Sequence, residues 1–264
     1  APPAEDRRLH ALAAELELQP AETLAAALAA AVELDAMLGR ALAWLQAPVA
    51  SARPTLGLVQ TIAGAIGIHD ALPSLIDGRA HSCGLLQFDE GRPLPEVSVQ
   101  VPVPLVLALH GRGGTWPGVR LQTGPLDAFP SSLRVAAAKQ AAALRTAGDS
   151  LAIRSGHPRE ARAVAALVAA ELGLQAAILE TDPPAGLGPW LRLRGALPVL
   201  GIELAPGEVR RLPELPGHSG PVLIATGIDG ICGTPASGSS LDADTGRRID
   251  AFGGGSTIDG AWGP

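Results

Sequence analysis

Along the first fifty residues leucine and valine return every three or four positions: Leu9, Leu12 and Leu16, then Leu24, Leu28 and Val32, then Leu38, Leu42 and Leu45. That spacing lays an apolar stripe along a helix and predicts two helices between residues 5 and 46. Pro20 falls at a helix start, where its missing N–H does no harm. Shorter helices are expected around PTLGLVQTIAGAIG and DALPSLID. In HSCGLLQFDEGRPLPEVSVQVPVPLVLALHG two extended runs then flank a charged turn bearing Gly and Pro, and lead into a further apolar segment. Helices with a small hairpin predict a winged-helix-like domain over residues 1–122.

The pattern then changes. A helix, SSLRVAAAKQAAALRTAG, precedes the apolar run LAIRS, the helix PREARAVAALVAAELG, the run AAILETD, a helix around GPWLRLRGA, and the runs LPVLGIEL and GPVLIATG. Nearly continuous apolar strands alternating with helices predict a parallel sheet covered on both faces. The expected class is therefore α/β: a helical, winged-helix-like N-terminal domain, followed over residues 123–230 by an incomplete P-loop-like parallel α/β sandwich. Over residues 231–264 Gly, Ser, Thr, Asp and Pro dominate, with isolated Phe252 and Trp262. Too little apolar surface is available there to offset ordering entropy, which predicts a flexible tail.

Composition narrows the classes. The 264-residue chain is 47% apolar but only 3% aromatic, with no tyrosine, so its cores must be built from Ala, Leu, Val and Ile. A net charge of −6 from sparse charges argues against nucleic acid as a partner. Cys83 and Cys232 match no metal-ligand spacing, so no metal is expected. The start, APPAEDRRLH, is unlike a signal peptide, and the longest apolar run, Thr23 to Val32, is too short to span a bilayer. A cytoplasmic protein without a membrane partner is expected. Trp44 and Trp190 sit on apolar helical faces and read as core anchors, whereas Trp116 falls in a turn.

The one stretch laid out like a nucleotide site is LAIRSGHPREARAVAALVAAELG, an apolar strand, a Gly-bearing turn and an Ala-rich helix. A P-loop, G-x-x-x-x-G-K-[ST], wraps phosphates with backbone N–H groups, reaches them with a lysine and holds magnesium with a hydroxyl. Here Ser155, Gly156, His157, Pro158, Arg159, Glu160, Ala161 and Arg162 supply no lysine, no second glycine and no metal-binding hydroxyl in either register. Glu160 also carries a carboxylate into the phosphate region. What remains is a helix N-terminus with Gly156 and His157, flanked by Arg159 and Arg162, to which ATP or ADP would bind weakly. Thr226, at the end of GPVLIATG, occupies the place of a polar sensor. No Asp-Glu pair ends LPVLGIEL, and Glu203 reads as a strand-end carboxylate. No catalytic residue is expected.

The segments SGHPREARAVAALVAAELGL, PWLRLRGALPVLGIELAPGEVRRLPELPG and GPVLIATG together resemble the first, frequently degenerate, ATPase domain of the large bacterial AAA+ proteins encoded beside phage-tail-like contractile injection systems. AAAVELDAMLGRALAWLQAP followed by RPTLGLVQTIAG is similar to that family's helical and winged-helix N-terminal region. The resemblance covers residues 5 to 230 in the right order. Family members continue into a last strand, a helical lid and a second, intact ATPase module, none of which is found here, so the activity is not carried over. In that fold's strand order the missing strand would flank LAIRS, leaving it at a sheet edge open to a partner, the tail or another copy. The tail resembles nothing in the family, and either a truncated gene read into unrelated codons or an acquired docking peptide would account for it.

Two rival classes fail on their own requirements. VPLVLALHGRGGT is similar to the strand and oxyanion loop of α/β-hydrolases, which need G-x-S-x-G and a histidine after the nucleophile. GHSGP around Ser219 lacks the closing glycine, and His218 is the last histidine in the chain, so the ordered triad cannot form. His110 reads instead as a cap before a Gly turn. A DNA-reading winged helix needs basic groups, yet only Arg53 lies near PTLGLVQTIAGAIGIHD, and QFDEGRP is acidic on balance. The sequence thus predicts a non-catalytic, AAA+-like scaffold or adaptor, with AAA+ subunits or injection-particle components as partners. Its alternatives are a weak ATP-binding subunit completed by a partner, and a remnant without function.

Overall fold

The computed structural model describes residues 6–89, 91–122, 129–147, 150–229 and 231–233. In chain order these form α1 (Arg7–Glu15), α2 (Pro20–Val32), α3 (Ala36–Leu45), α4 (Leu56–Ala65), α5 (Ala71–Ile76), α6 (Arg79–Ser82), β1 (Gln87–Phe88), β2 (Val99–Gln100), α7 (Val103–Leu109) and β3 (Val119–Leu121). There follow α8 (Ser131–Ala147), β4 (Leu151–Arg154), α9 (Pro158–Glu171), β5 (Gln175–Leu179), α10 (Leu187–Arg194), β6 (Ala196–Ile202), β7 (Val209–Arg211), β8 (Leu223–Thr226) and β9 (Ile231–Gly233). Two compact units result. The first holds residues 1–119, 182–196 and 214–219, and the second holds residues 120–181, 197–213 and 220–264.

In the first unit the region expected as two helices forms three, α1 to α3. The chain breaks at Leu34–Asp35 because Asp35 caps a new helix, its carboxylate accepting from the N–H groups of Met37 (2.8 Å) and Leu38 (3.3 Å). The innermost face of α2 is not its leucine stripe. Ala21, Ala25, Ala26, Ala29 and Ala30 are buried, while Leu24 and Leu28 are half-buried. Alanines let neighbouring backbones approach, and the leucines fill in beside them. Among these alanines sits Glu22, 1% exposed, whose two carboxylate oxygens accept from Gln19 N–H and Ala80 N–H, each at 2.7 Å. One carboxylate thereby satisfies orphan donors at the starts of α2 and α6.

The segment VPLVLALHG folds as α7 rather than extending, with proline in its first turn and His110 at its C-cap. β1 and β2 pair antiparallel, Gln87 opposite Gln100. Trp190 is fully buried and meets Trp116 edge to face at 6.1 Å, so α10 belongs to this unit and not to the sheet domain in which its sequence position lies. Gly186 N–H donates to Cys83 O (3.0 Å), and Arg192 pairs with Glu15 at 2.6 Å. Trp44 overturns its expected role as a core anchor: it is 79% exposed on α3. The apolar stripe of α3 is wider than its packed face, which is centred on buried Gly39 and Leu42.

The second unit is an α/β layer structure. Its five-stranded sheet runs β3-β5-β6-β8-β4, with β4 parallel to β8 and β8 parallel to β6. β4, the LAIRS strand, lies at one end of that order, as expected. Leu151, Ile153, Leu197, Val199, Leu223 and Ala225 form one face of the core with α8 and with Ala161, Ala165 and Val168 of α9. Ala177, Leu200 and Ile224 alternate with that set, so they point the opposite way, and they too are buried. β7 pairs parallel with β9, Val209 opposite Ile231. Residues 231–233, expected to begin the tail, are therefore strand, whereas the rest of the tail with Phe252 and Trp262 lies outside the described residues. Among the described residues no helix is long and apolar enough to cross a membrane.

Candidate functional site

The strand-turn-helix from β4 into α9 lies at the carboxyl ends of the parallel strands, where open α/β sheets bind ligands. β4 ends where Ser155 N–H donates to Thr226 O at 3.2 Å. The Ser155 hydroxyl then accepts from His157 N–H (3.1 Å) and donates to the Glu160 carboxylate (2.5 Å). His157 is the N-cap of α9 but makes no side-chain capping bond, and Pro158 opens the helix. A carboxylate in the first turn already supplies the negative charge that a helix N-terminus favours. The chain has thus placed its own anion, and its own hydroxyl, where a phosphate would need free N–H groups.

Gly156 is exposed, and a Cβ built on it would meet no atom within 4 Å. Its φ lies outside the left-handed region, so neither backbone conformation nor close approach requires glycine there. Arg159 is exposed and makes no hydrogen bond or ion pair among the described residues. Arg162 turns away from the loop. Its guanidinium passes over β6, where a Cβ on Gly201 would lie 3.3 Å from Arg162 Nε, and it pairs with Glu180 at 3.7 Å. Glu180 is held from the other side by Arg120. The bare strand position at Gly201 makes room for this crossing, and among the described residues the buried Arg162 Nε has no hydrogen-bond partner.

Thr226 is 2% exposed, and among the described residues its hydroxyl has no hydrogen-bond partner. Register places it between Arg154 of β4 and Ile202 of β6. By strand alternation its side chain lies on the face opposite Leu223 and Ala225, hence opposite α9 and Arg162. Of the sequence-predicted site residues, Gly156, His157 and Arg159 therefore share one turn, Thr226 adjoins it through its backbone, and Arg162 is committed elsewhere. Sequence reasoning missed Ser155 and Glu160 as partners, although the S-x-x-x-x-E spacing ahead of an apolar helix gave the hint.

A triphosphate needs unpaired N–H donors, a glycine where the backbone approaches, and a cation reaching forward. Here the His157 donor is taken, Gly156 is not structurally required, and Arg162 reaches sideways. Glu203, one residue beyond β6, is exposed, and Ser219 accepts a hydrogen bond from Arg192, so neither joins a second constellation. Burial pushes the Cys83 thiol up from its ordinary pKa, which keeps it neutral and unreactive. Among the described residues no group of three His, Cys, Asp or Glu side chains could hold a metal ion. No known protein family, curated protein or solved structure matches this chain.

Proposed function

We propose that this chain is a non-catalytic, AAA+-like scaffold or adaptor with a winged-helix-like helical part, working through protein contacts in the assembly of a contractile injection particle. One observation carries the non-catalytic half of this reading: the Ser155 hydroxyl ties His157 N–H and Glu160 into a closed turn at the N-terminus of α9. The assembly half rests on the resemblance of the segments between residues 5 and 230 to the injection-system ATPases. Titrating the full chain with fluorescent ATP and magnesium tests the first half, with no saturable binding expected below millimolar concentrations. Micromolar, metal-dependent binding accompanied by phosphate release would reject it.

A second reading has one observation in its favour. The buried hydroxyl of Thr226 at the carboxyl end of β8, without a partner among the described residues, is the kind of polar group a ligand or neighbouring subunit satisfies. In that reading the chain is a weak ATP-binding subunit completed by a partner. It requires ATP affinity to appear on adding an intact AAA+ subunit and to disappear in Thr226→Val.

A further inference from the structure

α7 runs out into the glycine-rich stretch HGRGGT, residues 110–115, and two arginines from distant parts of the chain are laid against it. Arg8 of α1 donates from Nη1 to Ala108 O at 2.9 Å. Its guanidinium covers Gly111, where a Cβ would come within 3.1 Å of Arg8 Cζ. Gly111 also has φ +70°, so both the backbone and this close approach call for glycine. From the last turn of α10, Arg194 donates from Nη1 to Arg112 O at 3.3 Å. All of these residues belong to the first unit.

Capping the end of α7 accounts for one N–H of each guanidinium and leaves the charges uncompensated. Among the described residues Arg8, Arg112 and Arg194 form no ion pair, although the chain carries 26 acidic groups against 20 basic ones. Asp6, two residues before Arg8, makes none either, and Glu15 at the far end of α1 is taken by Arg192. Arg194 Nε is buried and has no hydrogen-bond partner among the described residues. The backbone N–H groups of Gly113, Gly114 and Thr115 have none there. Fixed positive charge beside a run of unsatisfied backbone donors is an arrangement that binds anions.

We infer that the loop Gly111–Thr115, with Arg8, Arg112 and Arg194, is the docking site for an acidic segment of a partner protein, whose Asp and Glu carboxylates the guanidiniums receive. This names the partner chemistry for the protein-contact reading given above and rests on that reading. Two features favour carboxylates along a chain over a phosphate group. The surface is open: a Cβ on Gly113 would meet no atom within 4 Å, and one on Gly114 only the Leu107 side chain, so nothing closes over a single compact ion. Arg8 and Arg194 are also fastened to different carbonyls, of Ala108 and Arg112, which sets the charges along the loop. Each planar guanidinium matches one carboxylate, and pairs that are weak singly in water add up when they are carried on one chain.

Fluorescence polarisation of the full chain with a dye-labelled peptide of alternating Glu and Ala tests the site. Saturable binding at about 100 μM is expected in about 50 mM salt, weakening as added salt shortens the screening length, and the Gln-Ala counterpart should not bind. Arg112 is exposed and its side chain makes no hydrogen bond among the described residues, so Arg112→Gln should keep the urea midpoint. That variant should weaken binding about threefold to fivefold, and Arg8→Gln combined with it at least about tenfold. Arg210→Gln with Arg211→Gln, on exposed β7, should change nothing. No binding by wild type at about 1 mM, indifference to Arg112→Gln and the double variant, or an equal loss from the β7 pair would each overturn the proposal. Inorganic phosphate that displaces the peptide beyond the effect of sodium chloride at equal ionic strength would overturn it too, by assigning the loop to phosphate. The ATP titration reports separately on the protein-contact reading: turnover there rejects that reading even with peptide binding intact, whereas failed peptide binding without turnover removes only this site.

Discussion

Glu22→Ala should destabilise the first unit by about 3–5 kcal/mol, because the carboxylate is the shared acceptor for two helix starts in an otherwise alanine-lined interior. The two bonds are not equal. Ala80 N–H is buried, and removing its partner leaves a donor without water, at about 1–3 kcal/mol beyond the lost bond. Gln19 is exposed, so its N–H can turn to solvent, and losing that capping-box bond costs about 1 kcal/mol. A small cavity adds to the total. Glu22→Gln separates charge from shape: its single carbonyl can serve Ala80 while its amide faces the hydratable donor, so about 1–2 kcal/mol is expected. The described tryptophans, Trp44, Trp116 and Trp190, all lie in the first unit, so emission during urea unfolding reports chiefly on it. With a slope near 2 kcal/mol/M the alanine variant should lower the midpoint by about 2 M, and the glutamine variant by less than 1 M. An alanine variant within about 0.5 kcal/mol of wild type would refute the shared-acceptor account.

Gly156→Ala should be neutral or stabilising by about 0.4–1 kcal/mol, since a Cβ there meets nothing and the unfolded chain loses freedom; a clear fall in thermal midpoint would show that the turn needs glycine after all. The Cys83 thiol has its pKa raised by burial, so the folded state holds that proton longer than the unfolded state does. The contribution is therefore fully present below the ordinary thiol pKa and declines as pH rises from about 8.5 upward. Urea midpoints measured across that range should fall in the wild type, and the part of the fall due to Cys83 should vanish in Cys83→Ala; identical slopes would contradict the burial argument.

What the sequence disclosed about the fold follows from how local each signal is. The strands QAAIL, ALPVLGI and LIAT were legible because both faces are largely buried, which makes each a nearly continuous apolar run, whereas LAIR, at the end of the sheet order, buries one face and half-buries the other. Helix interiors were legible from leucine spacing, but boundaries set by one polar contact were not. Asp35 splits what reads as a single helix, and nothing in the apolar rhythm marks it. Trp44 and Trp190 carry the same local signature, a tryptophan among leucines on a helix, yet one is 79% exposed and the other fully buried. Burial depends on what the rest of the chain packs against each face, and a periodicity within ten residues does not contain that information.

The α9 turn shows the same limit from the functional side. Absence of a P-loop lysine can be read directly, but absence of an amino acid only says what a site lacks. Whether a given donor is free is a matter of geometry: the His157 N–H is taken by the Ser155 hydroxyl, which in turn donates to Glu160. Arg162 could have compensated for the lysine from its position in sequence. It does not, because Gly201 opens a path across β6 and Glu180 offers a carboxylate at its end. A helix N-terminus attracts anions only while its charge is uncompensated. With Glu160 already in its first turn and Arg162 drawn to Glu180, exposed Arg159 adds a charge in water, where a single charge contributes little.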